Sequence, residues 1–262
     1  MEFCTPVFFL SSFQGLSYSY KMKNLQTLAN EIKLFSDGAD ETTLLEMNET
    51  SWIAGMTTNP SLMKKAGVKD YRGFSKKILQ TITKKPISFE VFADDLPTML
   101  TQAEEIATWG KNVYVKIPVM NTKGEHTYSL IEKLTKRGIP LNITAIFTTE
   151  QTMNTAKALV GGAPSIVSVF AGRIADVGID PTSFVVASSE LCRAHGSQIE
   201  LLWASTREVY NILQARDTGC QIITAPADVL KKLNGIGKTP MDLCYDTVRT
   251  FKSDSDAAGF AL

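Results

Sequence analysis

The sequence is poor in the residues that several kinds of site require. It has two histidines, His126 and His195, far apart, so a histidine-based zinc centre has no ligand set to draw on. Its four cysteines, Cys4, Cys192, Cys220 and Cys244, form no CxxC pair. In a chain this long they read as reduced, mostly buried thiols rather than a disulfide framework. No apolar run approaches the roughly 20 residues of a membrane helix. An excess of one charge is also lacking: 27 Lys plus Arg face 27 Asp plus Glu. No basic surplus points to a nucleic-acid backbone, and any anion site must be assembled from a few placed cations. What remains is ordinary globular material, 262 residues with 44% hydrophobic, 9% aromatic and 21% charged positions, sufficient for a full core.

The first 23 residues differ from the rest. They carry aromatics and serines without helical or alternating period, Glu2 in place of a positive start, and only a short apolar run from Pro6 to Leu10. Neither a secretory signal nor an Arg-rich transit peptide fits. The segment 1–23 reads as a disordered tail or an early start, with Met22 as the natural beginning. Residues 24–262 read as one domain, and the expected setting is cytoplasmic.

From Leu25 onward one unit repeats. Runs rich in Val, Ile and Phe occur at Ile32–Phe35, Trp52–Met56, Ile87–Phe92, Asn112–Val119, Leu141–Phe147, Ser165–Phe170, Ile199–Ala204 and Gln221–Thr224. Amphipathic stretches lie between them, among them Thr98–Gly110, His126–Gly138, Glu150–Gly161, Pro181–Gly196 and Arg207–Gly219. Several end in the glycine that accepts a left-handed cap, and Asp180-Pro181 makes a good N-cap and first-turn pair. Strands alternating with helices of this length imply parallel pairing through right-handed crossovers. Eight units predict an α/β fold of the (β/α)8 TIM-barrel type, here with a C-terminal helical arm. A doubly wound sheet is the alternative, but Asp37-Gly38-Ala39-Asp40 is not its glycine fingerprint.

In such a barrel, chemistry sits at the carboxyl ends of the strands. The polar residues within or just after the apolar runs are Asp37, Asn59, Glu90, Lys116, Asn142 with Thr144, Ser168, Ser205 and Asp228. A lysine inside Val113–Val119 is unexpected, because both faces of a parallel sheet are covered. It can snorkel or form a stabilising ion pair, but the company of Asp37, Glu90, Asn142 and Thr144 at one rim favours a chemical role. A desolvated amine loses affinity for its proton and becomes a nucleophile near neutral pH, and Schiff-base formation with a carbonyl is the chemistry that needs one. Glu90 and Thr144 could hold the water that moves protons, and Asp37 could deprotonate a substrate hydroxyl during carbon–carbon cleavage. The protonated imine is itself the electron sink, so no cofactor is expected. Arg173 and Arg207 each follow a strand beside a hydroxyl or glycine, a pairing suited to phosphate.

These segments resemble the transaldolase family, specifically the short-chain subfamily that also contains fructose-6-phosphate aldolase. The resemblance is carried from about Ile32 to the C-terminus by Leu34–Asp40, Gly55–Leu62 with its TTNPS, Phe89–Phe92, the VKIP of Val115–Pro118, Leu141–Thr144, Ser168–Arg173 and Trp203–Arg207. It implies that Lys116 forms the Schiff base, Asp37 takes the C4 hydroxyl proton, and Glu90 with Thr144 holds the relay water. Asn59, Asn142 and Ser168 would bind the hydroxyls of a dihydroxyacetone unit, and Arg173, Ser205 and Arg207 the phosphate. Within the subfamily, Glu90, Asn142-Ile143-Thr144 and Phe170 match the transaldolases, whereas the aldolases tend to carry Gln, no Asn, and Tyr at the last of these positions. Phe170 cannot donate a proton to a waiting carbanion, so the unit would stay bound until an acceptor aldehyde arrives. The implied partners are sugar phosphates and further copies of the chain, a pentamer or decamer in which the C-terminal segment from Phe251 to Phe260 lies across a neighbour. Gly38 stands where Thr commonly follows the first-strand Asp.

Other features have plainer readings. Gly235-Ile236-Gly237-Lys238-Thr239 lacks the first glycine and the preceding strand of a phosphate-binding loop, so a turn before Pro240 is expected. Asp94 and Asp95 read as loop and N-cap rather than metal ligands. Cys192 and Cys244 fall on apolar helix positions and are expected in the core. The competing functions are a closely related aldolase, a metal-dependent aldolase, and a barrel that binds sugar phosphates without turnover.

Overall fold

A computed structural model describes residues 25–261. The expected tail over 1–23, with Cys4, lies outside the described residues. The strands are β1 (Lys33–Asp37), β2 (Ile53–Thr57), β3 (Ile87–Glu90), β4 (Val113–Pro118), β5 (Leu141–Ile146), β6 (Ser165–Val169), β7 (Ile199–Trp203) and β8 (Ile222–Pro226). Each pairs in parallel with the next, and β8 closes on β1. The fold is a (β/α)8 barrel. The helices before β5 are α1 (Leu25–Glu31), α2 (Glu41–Glu49), α3 (Pro60–Lys65), α4 (Tyr71–Thr81), α5 (Leu96–Ala107) and α6 (Tyr128–Thr135). After it come α7 (Thr149–Leu159), α8 (Ala171–Asp176), α9 (Thr182–His195), α10 (Tyr210–Asp217) and α11 (Ala227–Lys231).

Two apolar layers hold these elements. The larger lies between strands and helices and includes Leu34, Phe89, Ile117 and Trp203, all fully buried. The smaller fills the barrel interior with Phe35, Ile166, Leu202, Ala204 and Ile222, against which Ala54, Tyr114 and Phe170 pack. Each large side chain so buried contributes about 1.5–3 kcal/mol. Gly55 is required here, since a Cβ at that position would stand 2.5 Å from the Phe35 ring.

Where element ends depart from the sequence pattern, hydrogen bonds account for it. Beyond Glu90 the Val91 N–H still donates to the Lys116 carbonyl at 3.0 Å, but those of Phe92 and Ala93 both turn to Gln102 Oε1 at 2.9 Å, which ends the extension of β3. α10 starts after Arg207, not at it, because Asn211 Oδ1 accepts from the backbone N–H of Arg207 at 2.9 Å and Glu208 at 3.2 Å. α9 also begins one residue later than expected, with Pro181 rather than Asp180 at its N-cap, and Asp180 accepts from the Thr182 N–H at 2.9 Å from the loop before it.

The segment from Gly237 forms a second compact unit. Its helix α12 (Pro240–Ala258) opens with a Thr239–Asp242 capping box, has Pro240 in the first turn, and ends at Gly259 with φ 67°. Gly237, at φ 91°, makes the expected turn. No residue of α12 is buried, and Met241, Leu243, Tyr245, Val248 and Phe251 are exposed. This corrects the expectation for Cys244, which is exposed, while Cys192 and Cys220 are buried. Its apolar helix position supplies no core because none of the described residues of this unit buries the helix. Among the described residues no helix is long and apolar enough to cross a membrane.

Candidate active site

The site begins with strand register. Glu90 on β3 lies opposite Lys116 on β4, and Lys116 lies opposite Asn142 on β5. Register partners in a sheet share a face, so a carboxylate, an amine and an amide stand side by side. Lys116 is 6% exposed. Its Nζ lies 3.2 Å from Glu90 Oε2 and donates to the Thr58 carbonyl at 3.0 Å. Asn142 is held at both ends of its amide: Ser168 Oγ donates to Oδ1 at 2.6 Å, and Nδ2 donates to Ser88 Oγ at 3.0 Å.

Asp37, at the end of β1, is the second carboxylate of the site. Thr57 donates its hydroxyl to Asp37 Oδ1 at 2.7 Å and lies 2.6 Å from Thr224 Oγ1. Thr57 has one hydroxyl proton, so Thr224 must donate to Thr57, and the three form a directed chain ending on the carboxylate. Burial pushes the Asp37 pKa up, outweighing the opposing effects of the Lys116 charge and the Thr57 hydrogen bond. Thr144 is presented by an irregularity. The β5–β6 register shifts between Ile143 and Ile146, and Ala145 takes φ 60°. The Thr144 hydroxyl is buried without a protein hydrogen-bond partner, in a wall where water or ligand can satisfy it.

These groups enclose a cavity of about 160 Å³ whose wall includes Asp37, Thr57, Asn59, Lys116, Asn142, Thr144, Ser168 and Thr224. Phe170, Arg173, Ser205 and Arg207 form its other side. Asn59 caps α3 by accepting the Leu62 N–H at 2.9 Å through Oδ1, so its amide NH2 is the group it can offer inward. The Arg173 guanidinium sits 4.9 Å from the Phe170 ring centroid, a cation–π distance. Arg207 engages Asp176 of α8 through Nε at 3.0 Å and through Nη2 at 2.5 Å, which fixes one edge of its guanidinium while the residue still lines the cavity. Ser205 has φ 67°, an uncommon conformation for a residue with a Cβ and one that gathers at functional sites. A Cβ on Gly172 would stand 1.7 Å from the Ser205 carbonyl oxygen, so only glycine lets the segments after β6 and β7 meet.

All the site residues named from the sequence except Glu90 and Asp228 lie on the cavity wall, and Glu90 joins the site through Lys116. Asp228 does not: it sits in α11, and Thr224 represents β8 in the wall. Sequence reading also missed Thr57, Ser88 and Asp176. The first two are hydroxyls on strand positions that alternate with buried apolar ones, a signal that was legible. Asp176 gave none, since its partner is 31 residues away. Asp95 caps α5 by accepting the Thr98 N–H at 2.9 Å, and Asp94 accepts the Thr122 N–H at 2.8 Å, as loop residues do. Among the described residues no group of three or more His, Cys, Asp or Glu side chains is placed to hold a metal ion.

A parallel (β/α)8 barrel with a buried lysine between a carboxylate and an amide defines the class of barrels that work on small ligands at their strand ends. Residues 34–261 match the family described as transaldolase/fructose-6-phosphate aldolase, and the chain belongs to that family. Among its relatives is a "Probable transaldolase" of Methanococcus maripaludis, 38% identical over 214 residues, covering 79% of this chain and 95% of that one. Another, from Thermoanaerobacter sp., is 36% identical over 231 residues and covers 88% of this chain and all of that one (100%). In fold, the chain is similar to a crystal structure titled a "putative deoxyribose-phosphate aldolase" from Coccidioides immitis, with TM-score 0.56, 11% identity, and 84% and 92% of the two chains covered.

Proposed function

We propose that the protein is a transaldolase that moves a dihydroxyacetone unit from a ketose phosphate, sedoheptulose 7-phosphate or fructose 6-phosphate, to an aldose phosphate, glyceraldehyde 3-phosphate or erythrose 4-phosphate. The observation that carries this reading is the buried register line Glu90–Lys116–Asn142, with Asp37 across the cavity. Lys116 gives up a proton, which the Glu90 carboxylate at 3.2 Å is placed to take, and its amine adds to the ketone carbon. Loss of water leaves a protonated imine. Asp37 then takes the C4 hydroxyl proton, the C3–C4 bond breaks, and its electron pair passes into the imine while the aldose phosphate leaves. Asn142 steadies the resulting carbanion equivalent, and addition to a new aldehyde followed by hydrolysis restores Lys116. Burial favours this use of Asp37, because a carboxylate whose pKa is raised is a stronger base when ionised. The protein needs no cofactor for any of these steps. The same reading sets it in the pentose phosphate pathway of the cytoplasm and makes it a homo-oligomer, a pentamer or decamer, in which a second copy covers the exposed apolar residues of α12.

The test uses purified protein and fructose 6-phosphate, following glyceraldehyde 3-phosphate with and without erythrose 4-phosphate. Product only in the presence of the acceptor is expected. Equal product without it would make the protein a fructose-6-phosphate aldolase and overturn the role given to Phe170. Sedimentation velocity checks the assembly: a monomer would remove the oligomer from the reading.

A further inference from the structure

A parallel ladder between β2 and β3 has an unexpected gap. The Met56 N–H donates to the Pro86 carbonyl at 2.9 Å and the Thr58 N–H to the Ser88 carbonyl at 3.2 Å. Continued by one step, that alternation would have the Glu90 N–H donate to the Thr58 carbonyl. It does not. The Thr58 carbonyl accepts from Lys116 Nζ at 3.0 Å, and the Glu90 N–H donates to the Tyr71 hydroxyl at 2.8 Å. One step further the Glu90 carbonyl would face residue 60, a proline without an N–H. Tyr71 supplies this bond as well, donating its hydroxyl to the Glu90 carbonyl at 3.0 Å.

We propose that Tyr71 is a positioning residue for the lysine: its hydroxyl takes both β2-side hydrogen bonds of the Glu90 backbone, which frees the Thr58 carbonyl to hold Lys116 Nζ beside the Glu90 carboxylate. This rests on the reading of Lys116 as the Schiff-base residue. Tyr71 does not touch the cavity wall, so it acts through the other two. The hydroxyl is well placed for the task. Tyr71 opens α4 and its ring is fixed by edge contacts with Phe89 at 6.4 Å, Phe92 at 5.7 Å and Trp109 at 5.9 Å between centroids. Burial raises its pKa, so the phenol keeps the proton it donates. A buried N–H must be paired, and without the hydroxyl the nearest remaining acceptor in the ladder is the Thr58 carbonyl, which Lys116 would then lose.

Tyr71→Phe keeps the ring and removes only the hydroxyl. The expected result is a kcat about 100-fold lower with KM nearly unchanged, the loss typical of a reacting group displaced by about 1 Å. The rate at which borohydride traps the fructose 6-phosphate adduct on Lys116 should fall in parallel. Phe92→Leu is the control: it loosens the same ring cluster without touching the hydroxyl. Wild-type turnover and trapping in Tyr71→Phe, or an equal loss in a Phe92→Leu variant of the same Tm, would overturn the proposal. If the wild-type protein is not trapped at all, the lysine chemistry fails, and the positioning claim is judged by a crystal structure of Tyr71→Phe. There the Glu90 N–H should return to the Thr58 carbonyl, and a carbonyl still held by Lys116 would overturn it. Should Tyr71→Phe not fold, a crystal structure of the wild-type protein decides, with a Tyr71 hydroxyl out of reach of the Glu90 N–H as the adverse result.

Discussion

Asp37 and Lys116 are two charges the fold holds differently: Asp37 sits largely out of water at a cost to stability, whereas Lys116 is buried in an ion pair with Glu90. Because burial holds the Asp37 pKa above its unfolded value, the folded state binds that proton more tightly than the unfolded chain. The contribution is therefore full in acid and is lost as pH rises through the folded-state pKa. Asn resembles the protonated form. Asp37→Asn should raise Tm at neutral pH, with a gain that vanishes in acid, while lowering kcat about 10²–10⁴-fold. Calorimetry across pH, paired with the acceptor-dependent assay, checks both; a Tm gain that grows in acid would contradict the sign. Lys116→Met should abolish borohydride trapping while ketose phosphate still binds. It should also destabilise by about 3–5 kcal/mol, because the largely buried Glu90 carboxylate loses its partner. Adding Glu90→Gln should recover part of that loss, as denaturant titration would measure.

Elements determine where those residues point. The β5 irregularity at Ala145 and the left-handed Ser205 are conformations that hairpin-like alternation does not reveal, and both sit beside cavity-lining side chains. The approach of α8 to the segment after β7 depends on Gly172. Gly172→Ala forces a Cβ toward the Ser205 carbonyl, 1.7 Å away in the native geometry. Backbone must move, at about 3 kcal/mol for an overpacked site, and Arg173, Ser205 and Arg207, proposed above to hold the phosphate, separate. The expected outcome is a lower Tm and a KM for ketose phosphate raised at least several-fold, read by thermal unfolding and steady-state kinetics. A variant with unchanged KM would mean that these segments do not bind phosphate together. The element order itself was legible in the chain: all eight strands and the five quoted helices appear where Val, Ile and Phe runs alternate with amphipathic stretches. Their ends were less so, because side chains such as Gln102 and Asn211 intercept the N–H groups that would extend them.

For the whole molecule, equal numbers of positive and negative residues give no net charge to draw in a sugar phosphate from a distance. Attraction should come from the local arginines. Sulfate should therefore raise KM competitively, while chloride at the same ionic strength does so far less; equal inhibition by the two would point to diffuse electrostatics. The sequence by itself determined the parallel strand–helix repeat and, from its eight units and the missing glycine fingerprint, favoured the barrel. It also determined most of the site, since a lysine, a carboxylate and an amide at strand ends are exceptions to an apolar pattern and stand out against it. Only the tertiary structure decided which of them meet. Register set Glu90, Lys116 and Asn142 in one line, closure of β8 on β1 brought Thr224 behind Thr57 and Asp37, and α4 delivered the Tyr71 hydroxyl to a backbone gap that no motif contains. The physical reason is that the local pattern reports which side chains avoid water. Partners 19, 26 or 167 residues apart are fixed by pairing geometry, which local patterns do not encode.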